Sequence, residues 1–336
     1  MNAAALARSV RATLAYFDIF DHPLTLLEVS RYLYSVVPAS LGTPLSGAPL
    51  AIGTAAPSLS AILEALTTIR AEHRDGFYAL PGRAAVISTR ERRFRISAPK
   101  FRRARRAAAL MRLLPSVRMV ALCNSLALAN ATEESDIDLF VVARPGTLWI
   151  TRLCVVGVLA LLRLRPTARD SADKVCMSFF VSESRLGLQD VALKPDDTYL
   201  RYWIASLLPL YDAGGVMRAF LAANAWVGER VQGYATPRRE PALHAARAWA
   251  MLGRAALPLL RTFDKPAARL QRRAFPQDIL REAATGGTNV VVRDDILKFH
   301  VTDRRADFET RFLAACAAHE IAAPQTAIRE KQPALQ

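Results

Sequence analysis

Cysteine is scarce in this chain. Its 336 residues include four, Cys123, Cys154, Cys176 and Cys316, with no Cys-x-x-Cys pair among them. That spacing excludes a disulfide framework and a cysteine-rich structural zinc site, and it fits a reducing compartment. Long apolar runs are missing too. The most apolar stretch, the ten residues Leu153 to Leu162, is bounded by Arg152 and Arg163. A helical membrane span takes about 20 such residues. The Ala-rich N-terminus carries Arg8 and Arg11 and has neither the uninterrupted apolar core nor the cleavage site of a signal peptide. The expectation is a cytoplasmic protein with no membrane span. There is also no P-loop or Rossmann glycine fingerprint and no internal repeat. Acid is in short supply: 30 Asp and Glu stand against 45 Lys and Arg, a formal charge of +15. The excess suits an anionic partner such as nucleic acid, a nucleotide or an acidic membrane surface, and equally suits arginine-rich genome bias.

What is present supports packed cores. Hydrophobic residues make up 52%, too many for general disorder, and the length allows two or three domains. Residues 1–83 read as a small helical unit. Ala4 to Phe17 has helical apolar spacing and is broken at Asp21-His22-Pro23. Thr25 with Glu28 makes a capping box for a second helix. A Pro-, Gly- and Ser-rich loop is expected from Val36 to Ala56, and Ser58 or Ser60 opens a third helix. Gly76 to Gly82 is expected to form a short hairpin. Three helices and a hairpin are the order of a winged helix. His22 reads as a capping or packing residue.

Residues 84–212 read as a second unit with a basic lead-in. From Arg83 to Arg118 twelve Lys and Arg face one acid, Glu91. The segment Arg90–Arg106 is either a solvated helix face or a surface for nucleic acid or a protein. Strands are expected at Val117–Leu122, Ile137–Ala143 and Val175–Val181, with an apolar helix at Leu148–Leu164 between the last two. A helix is expected from Asp196 to Leu210. Residues 213–322 read as mostly helical, interrupted by Gly286-Gly287 and a short strand, Asn289–Val292, and closed by a helix from Asp303 to Ala318. Residues 323–336 read as a flexible tail. The fold class is a mixed α+β core sheet, preceded by a winged-helix-like unit and followed by a helical region. Trp149, Trp203, Trp226 and Trp249 read as packing anchors.

The chemistry concentrates between Val120 and Ala143. A buried strand runs into Asn124-Ser125 at the start of a short helix, whose free N–H groups would suit a phosphate. Ten residues later come Ser135, Asp136 and Asp138. Two residues apart on a strand, the aspartates share one face. Two adjacent carboxylates repel unless a cation is shared, and Mg²⁺ is the hard ion that also grips phosphates.

On these residues the chain resembles the DNA polymerase beta-like nucleotidyltransferase superfamily, whose signature is a strand, Gly-Ser, about ten residues and Asp-x-Asp on a second strand. The resemblance covers Val117 to Val181. The wider chain also resembles bacterial proteins that join a winged-helix-like N-terminus to such a domain, through Ala15 to Thr25 and Leu148 to Arg152. It implies Asp136 and Asp138 as catalytic metal ligands, and Asn124, Ser125 and Ser135 around a nucleoside triphosphate. Two departures stand out. Asn124 replaces the family's glycine, and its side chain narrows the approach of a triphosphate. The strand from Lys174 to Val181 presents Cys176, Ser178 and Phe180 where a third carboxylate is usual, with Asp173 and Glu183 only flanking it. The general base is therefore unassigned.

Two functions follow. One is Mg²⁺-dependent transfer of a nucleotidyl group from a nucleoside triphosphate to an unidentified acceptor, with Arg144 or Arg152 neutralising developing charge. The other is a catalytically degenerate core that binds nucleic acid or a protein. His300 reads as structural, with an approach to the site left open.

Overall fold

The first helix, α1 (Ala3–Asp18), follows the apolar spacing, and the Asn2 side chain caps it by accepting from the Ala5 amide at 2.8 Å. The computed structural model describes residues 2–36, 57–167, 170–235, 247–319 and 321, with backbone alone for 247–254. Residues 37–56 of the expected loop and the tail expected over 323–336 lie outside the described residues. Strand β1 (Leu24–Thr25) leads into α2 (Leu26–Arg31). The capping box forms: Thr25 N donates to Glu28 Oε2 at 2.9 Å and Glu28 N to Thr25 Oγ1 at 3.3 Å. Ser58 opens α3 (Leu59–Thr68). A hairpin of β2 (Glu72–Arg74) and β3 (Phe77–Ala79) follows, and β1 adds to the free edge of β3. Gly76 to Gly82 thus supplies only the turn's second half, the second strand and the exit. The turn is Asp75-Gly76, both at positive φ. The first strand, Glu72-His73-Arg74, is polar and leaves no apolar alternation to detect.

The basic segment forms the long helix α4 (Ala85–Met111). It delivers the chain to β4 (Val117–Leu122), the short α5 (Asn124–Ala127), β5 (Ile137–Ala143), α6 (Leu148–Leu161) and β6 (Val175–Ser182). Next come α7 (Thr198–Ser206), β7 (Leu208–Asp212), α8 (Val216–Ala223), α9 (Arg247–Ala274), α10 (Gln277–Ala284), β8 (Val290–Val292), β9 (Ile296–Phe299) and α11 (Arg305–Ala318). The helix expected to reach Leu210 ends at Ser206. Residues 208–212 instead form an edge strand, the position where Pro209 is tolerated. The six strands lie in the order β7-β4-β5-β6-β9-β8, with β5 and β6 parallel and the other neighbours antiparallel. The fold is mixed α+β. Among the described residues no helix is long and apolar enough to cross a membrane.

Each face of the large sheet has its own core. Ala121, Phe140, Val142, Phe179 and Val181 pack under α7, α8, α11 and the N-terminal helices. Val120, Leu139, Val141 and Phe180 pack against Trp149 and Leu159 of α6, Ala267 of α9 and the alanines ending α4. The N-terminal unit therefore shares its core with the sheet. Tyr16 stacks on Tyr202 with ring centroids 4.0 Å apart, and the Tyr202 hydroxyl donates to Tyr32 O at 3.0 Å. In β6 the pairing slips between Asp138↔Cys176 and Phe140↔Phe179. The extra residue is a bulge, so Phe179 takes the place expected for Phe180 beside Cys176 and Ser178, and Phe180 packs into the opposite core.

Candidate functional site

Asp136 precedes β5 and Asp138 lies on it, opposite Cys176 of β6. Ile137 and Leu139 alternate into the opposite core, which leaves both carboxylates on the α7 side. Ligating atoms of Asp136, Asp138 and Cys176 lie within 4.8 Å of one another, the one group of three such residues found among those described. Burial pushes the Asp138 carboxyl up to about 6, and the neighbouring Asp136 adds to the rise. Burial raises Asp136 as well, and hydrogen bonding from Cys176 offsets part of both effects. The Cys176 thiol is itself pushed far up, first by burial and then by the two carboxylates. It is a neutral donor at physiological pH.

Asn124 completes this corner. It sits at φ +55°, the left-handed backbone that its glycine-like position demands. Its Nδ2 donates to Asp138 Oδ2 at 2.7 Å, while its Oδ1 accepts from Trp203 Nε1 at 2.9 Å and Tyr199 OH at 3.4 Å. The side chain that replaces glycine therefore lies against the carboxylate and links it to two rings of α7.

Above the carboxylate opens a cavity of about 480 Å³, with Asp138, Cys176 and Ser178 in its floor and Tyr199, Trp203 and Phe308 in its wall. Lys298, His300, Arg304 and Arg305 also line it. Most of this positive charge is already balanced. Lys298 Nζ lies 3.1 Å from Asp303 Oδ2, and Arg305 bonds to Asp197 Oδ2 at 2.6 Å and Asp303 Oδ2 at 2.8 Å. Burial and the Arg305 charge bring Lys298 down to about 8. Arg304 is exposed at the rim, 5.0 Å over the Phe308 ring and in a solvent-facing pair with Asp307 Oδ2 at 3.4 Å. His300 lies 3.1 Å from Ser178 Oγ, and burial, then Lys298, drop it to about 3, so it is neutral. The end of β9 thus brings His300 into the cavity.

Other expected residues go elsewhere. Ser125 lines a separate, largely aromatic cavity of about 250 Å³. Asn124, Tyr199, Trp203 and Phe308 line both cavities and partition them. Ser135 builds the turn before the aspartates: its Oγ accepts from Thr132 N at 2.9 Å and its carbonyl accepts from Lys100 Nζ at 2.8 Å. The flanking acids are engaged, Asp173 with Lys100 and Arg103, and Glu183 with Arg118. Arg144 sits past the far end of β5, bonded to Pro115 O at 3.1 Å, and Arg152 lines a different cavity. Arg144 is carried away from the aspartates because a strand advances about 3.3 Å per residue, and Arg152 does not line the cavity above Asp138.

The basic segment divides as well. Arg90 bonds to Pro23 O and Glu28 and contacts His22, which is buried in packing, while Arg93 bonds to Phe20 O. Lys100 is 2% exposed. Arg92, Arg95, Arg102 and Arg106 remain exposed. The residues that apolar patterning missed are Tyr199 and Trp203, which read only as core of a helix, and Cys176, whose signal was its alternation beside the absent acid. Comparison of the chain with protein-family models, curated proteins and solved structures finds no match.

Proposed function

We propose that the chain transfers a nucleotidyl group from a nucleoside triphosphate to an acceptor at the cavity above Asp138. The observation that supports this reading is the pairing of Asp136 and Asp138 on one face, beside a cavity walled by Tyr199, Trp203 and Phe308. The donor set fits Mg²⁺: two carboxylates leave the remaining positions to water and phosphate oxygens, as that ion prefers, and the neutral Cys176 thiol is not required. When bound, the ion supplies charge neutralisation and a grip on the phosphates. The chain's own residues do the rest. Trp203, Tyr199 and Phe308 offer faces for a base. Arg304, at the rim, offers positive charge to the phosphates, and the Asn124 amide orients Asp138.

One observation favours a second reading, a nucleotide-responsive binding module: Cys176 stands where an acid would complete the site. Its partner would be nucleic acid or a protein on the exposed arginines of the α4 face. Calorimetric titration with a non-hydrolysable nucleoside triphosphate, with and without Mg²⁺, tests both. Mg²⁺-dependent binding is expected, weakened at least tenfold in Asp136→Asn and Asp138→Asn. With the native nucleoside triphosphate and Mg²⁺ in place of the analogue, binding without pyrophosphate release across candidate acceptors selects the module. Absence of Mg²⁺-dependent binding ends both readings.

A further inference from the structure

Among the described residues the five buried basic side chains, Arg90, Lys100, Arg201, Lys298 and Arg305, each meet a carboxylate. Arg152 of α6 does not. Its guanidinium is largely buried beneath two rings, 4.6 Å from the Phe299 centroid and 5.2 Å from that of Phe275. Nη1 donates to Gln271 Oε1 at 2.6 Å. Gln271 is held in turn, its Nε2 donating to Trp149 O and Ala267 O. Nε is shielded and has no hydrogen-bond partner, and no bond from Nη2 is found among the described residues. The charge that acts on Arg152 is Arg165, also a cation, which makes no ion pair among the described residues. A buried cation beside a second cation is costly unless an anion arrives.

Both arginines line a cavity of about 510 Å³ between α6, the start of α10 and the edge of β6. Below Phe179 that edge has no strand partner on the β9 side. The rest of the wall is largely apolar, including Val156, Met177 and Ile279, with Gln271, Cys176 and Ser178 as its polar members. Nε is closed off from solvent, so an anion would meet the guanidinium through its remaining nitrogen, Nη2.

We propose that this cavity binds a small organic anion, its carboxylate or phosphate held by Arg152 and Arg165 and its apolar body lying against Val156, Met177 and Ile279. Cys176, Ser178 and Phe299 line both this cavity and the one above Asp138, whereas Arg152 and Arg165 line this one alone, and the proposal does not rest on the nucleotide reading. The full-length chain is titrated calorimetrically with octanoate, octyl phosphate and octanol, all below micellar concentration. Saturable one-to-one binding of an anion is expected, with octanol at least tenfold weaker. The better of the two anions identifies the headgroup class. Arg152→Met should abolish anion binding while raising the thermal midpoint, because an unpaired buried charge is removed. Arg165→Gln, at an exposed position, should weaken binding several-fold without a change in fold. Equal binding of octanol, no binding of either anion, or undiminished binding by both arginine variants overturns the proposal. So does a lower midpoint in Arg152→Met with Arg165→Gln binding as wild type, which would make Arg152 a packing cation.

Discussion

Single side chains set how this protein responds to pH. His300 is held near 3, well below the usual 6.5 of an exposed histidine. Between those values the unfolded chain binds the proton and the folded chain does not. The contribution of His300 to stability is therefore complete above about pH 6.5 and is lost as pH falls toward 3, by at most about 1.4 kcal/mol per pH unit. The raised carboxyls act in the opposite sense. Asp138, near 6, and Glu309, near 7, favour the fold as pH falls. His300→Gln removes the first contribution and can keep a hydrogen bond to Ser178. Urea denaturation from pH 7 to 4 should show a shallower loss of stability on acidification in the variant. Equal slopes in the two proteins would contradict the buried neutral state of His300.

At the scale of elements, local chemistry decides some boundaries and long-range pairing decides others. Thr25 and Glu28 cap α2 through side chains three residues apart, so the start of that helix is readable in sequence. Thr25→Ala should cost about 0.5–2 kcal/mol, read as a lower thermal midpoint; no change would mean the cap is dispensable. The strands β4, β5 and β6 were equally readable, being short apolar runs with the aspartates at one end. Three features were not. The polar strand β2 exists because β3 pairs with it. Residues 208–212 are a strand because β4 offers an edge. The bulge in β6, which puts Phe179 instead of Phe180 beside the site, comes from register with β5. The same limit applies to the site. Asp136, Asp138 and Asn124 were visible as a motif. Tyr199 and Trp203 reach Asn124 only through packing, from 75 and 79 residues away.

The whole molecule is joined through α7. Tyr202 stacks on Tyr16 of the N-terminal unit, and its neighbour Trp203 packs on Phe140 and Phe179 of the sheet. With one apolar cluster running from Leu6 to Ile321, the N-terminal unit and the sheet should unfold in one transition by calorimetry and by circular dichroism. Tyr202→Ala should lower that transition as a whole, by about 3–5 kcal/mol if it behaves as other large buried aromatics do. Two separated transitions in the wild-type chain would contradict the shared core. The position of Asn124 carries this connection to the floor of the cavity, since one amide holds Asp138 with its nitrogen and Trp203 with its oxygen. A ligand that draws Asp138 away must therefore release or drag the indole, and with it the helix on which the N-terminal unit rests. By thermodynamic reciprocity, a ligand of Asp138 that shifted α7 and a partner of that unit that shifted it would alter each other's affinity by the same factor. The small helix works as a bearing between two ends of the molecule.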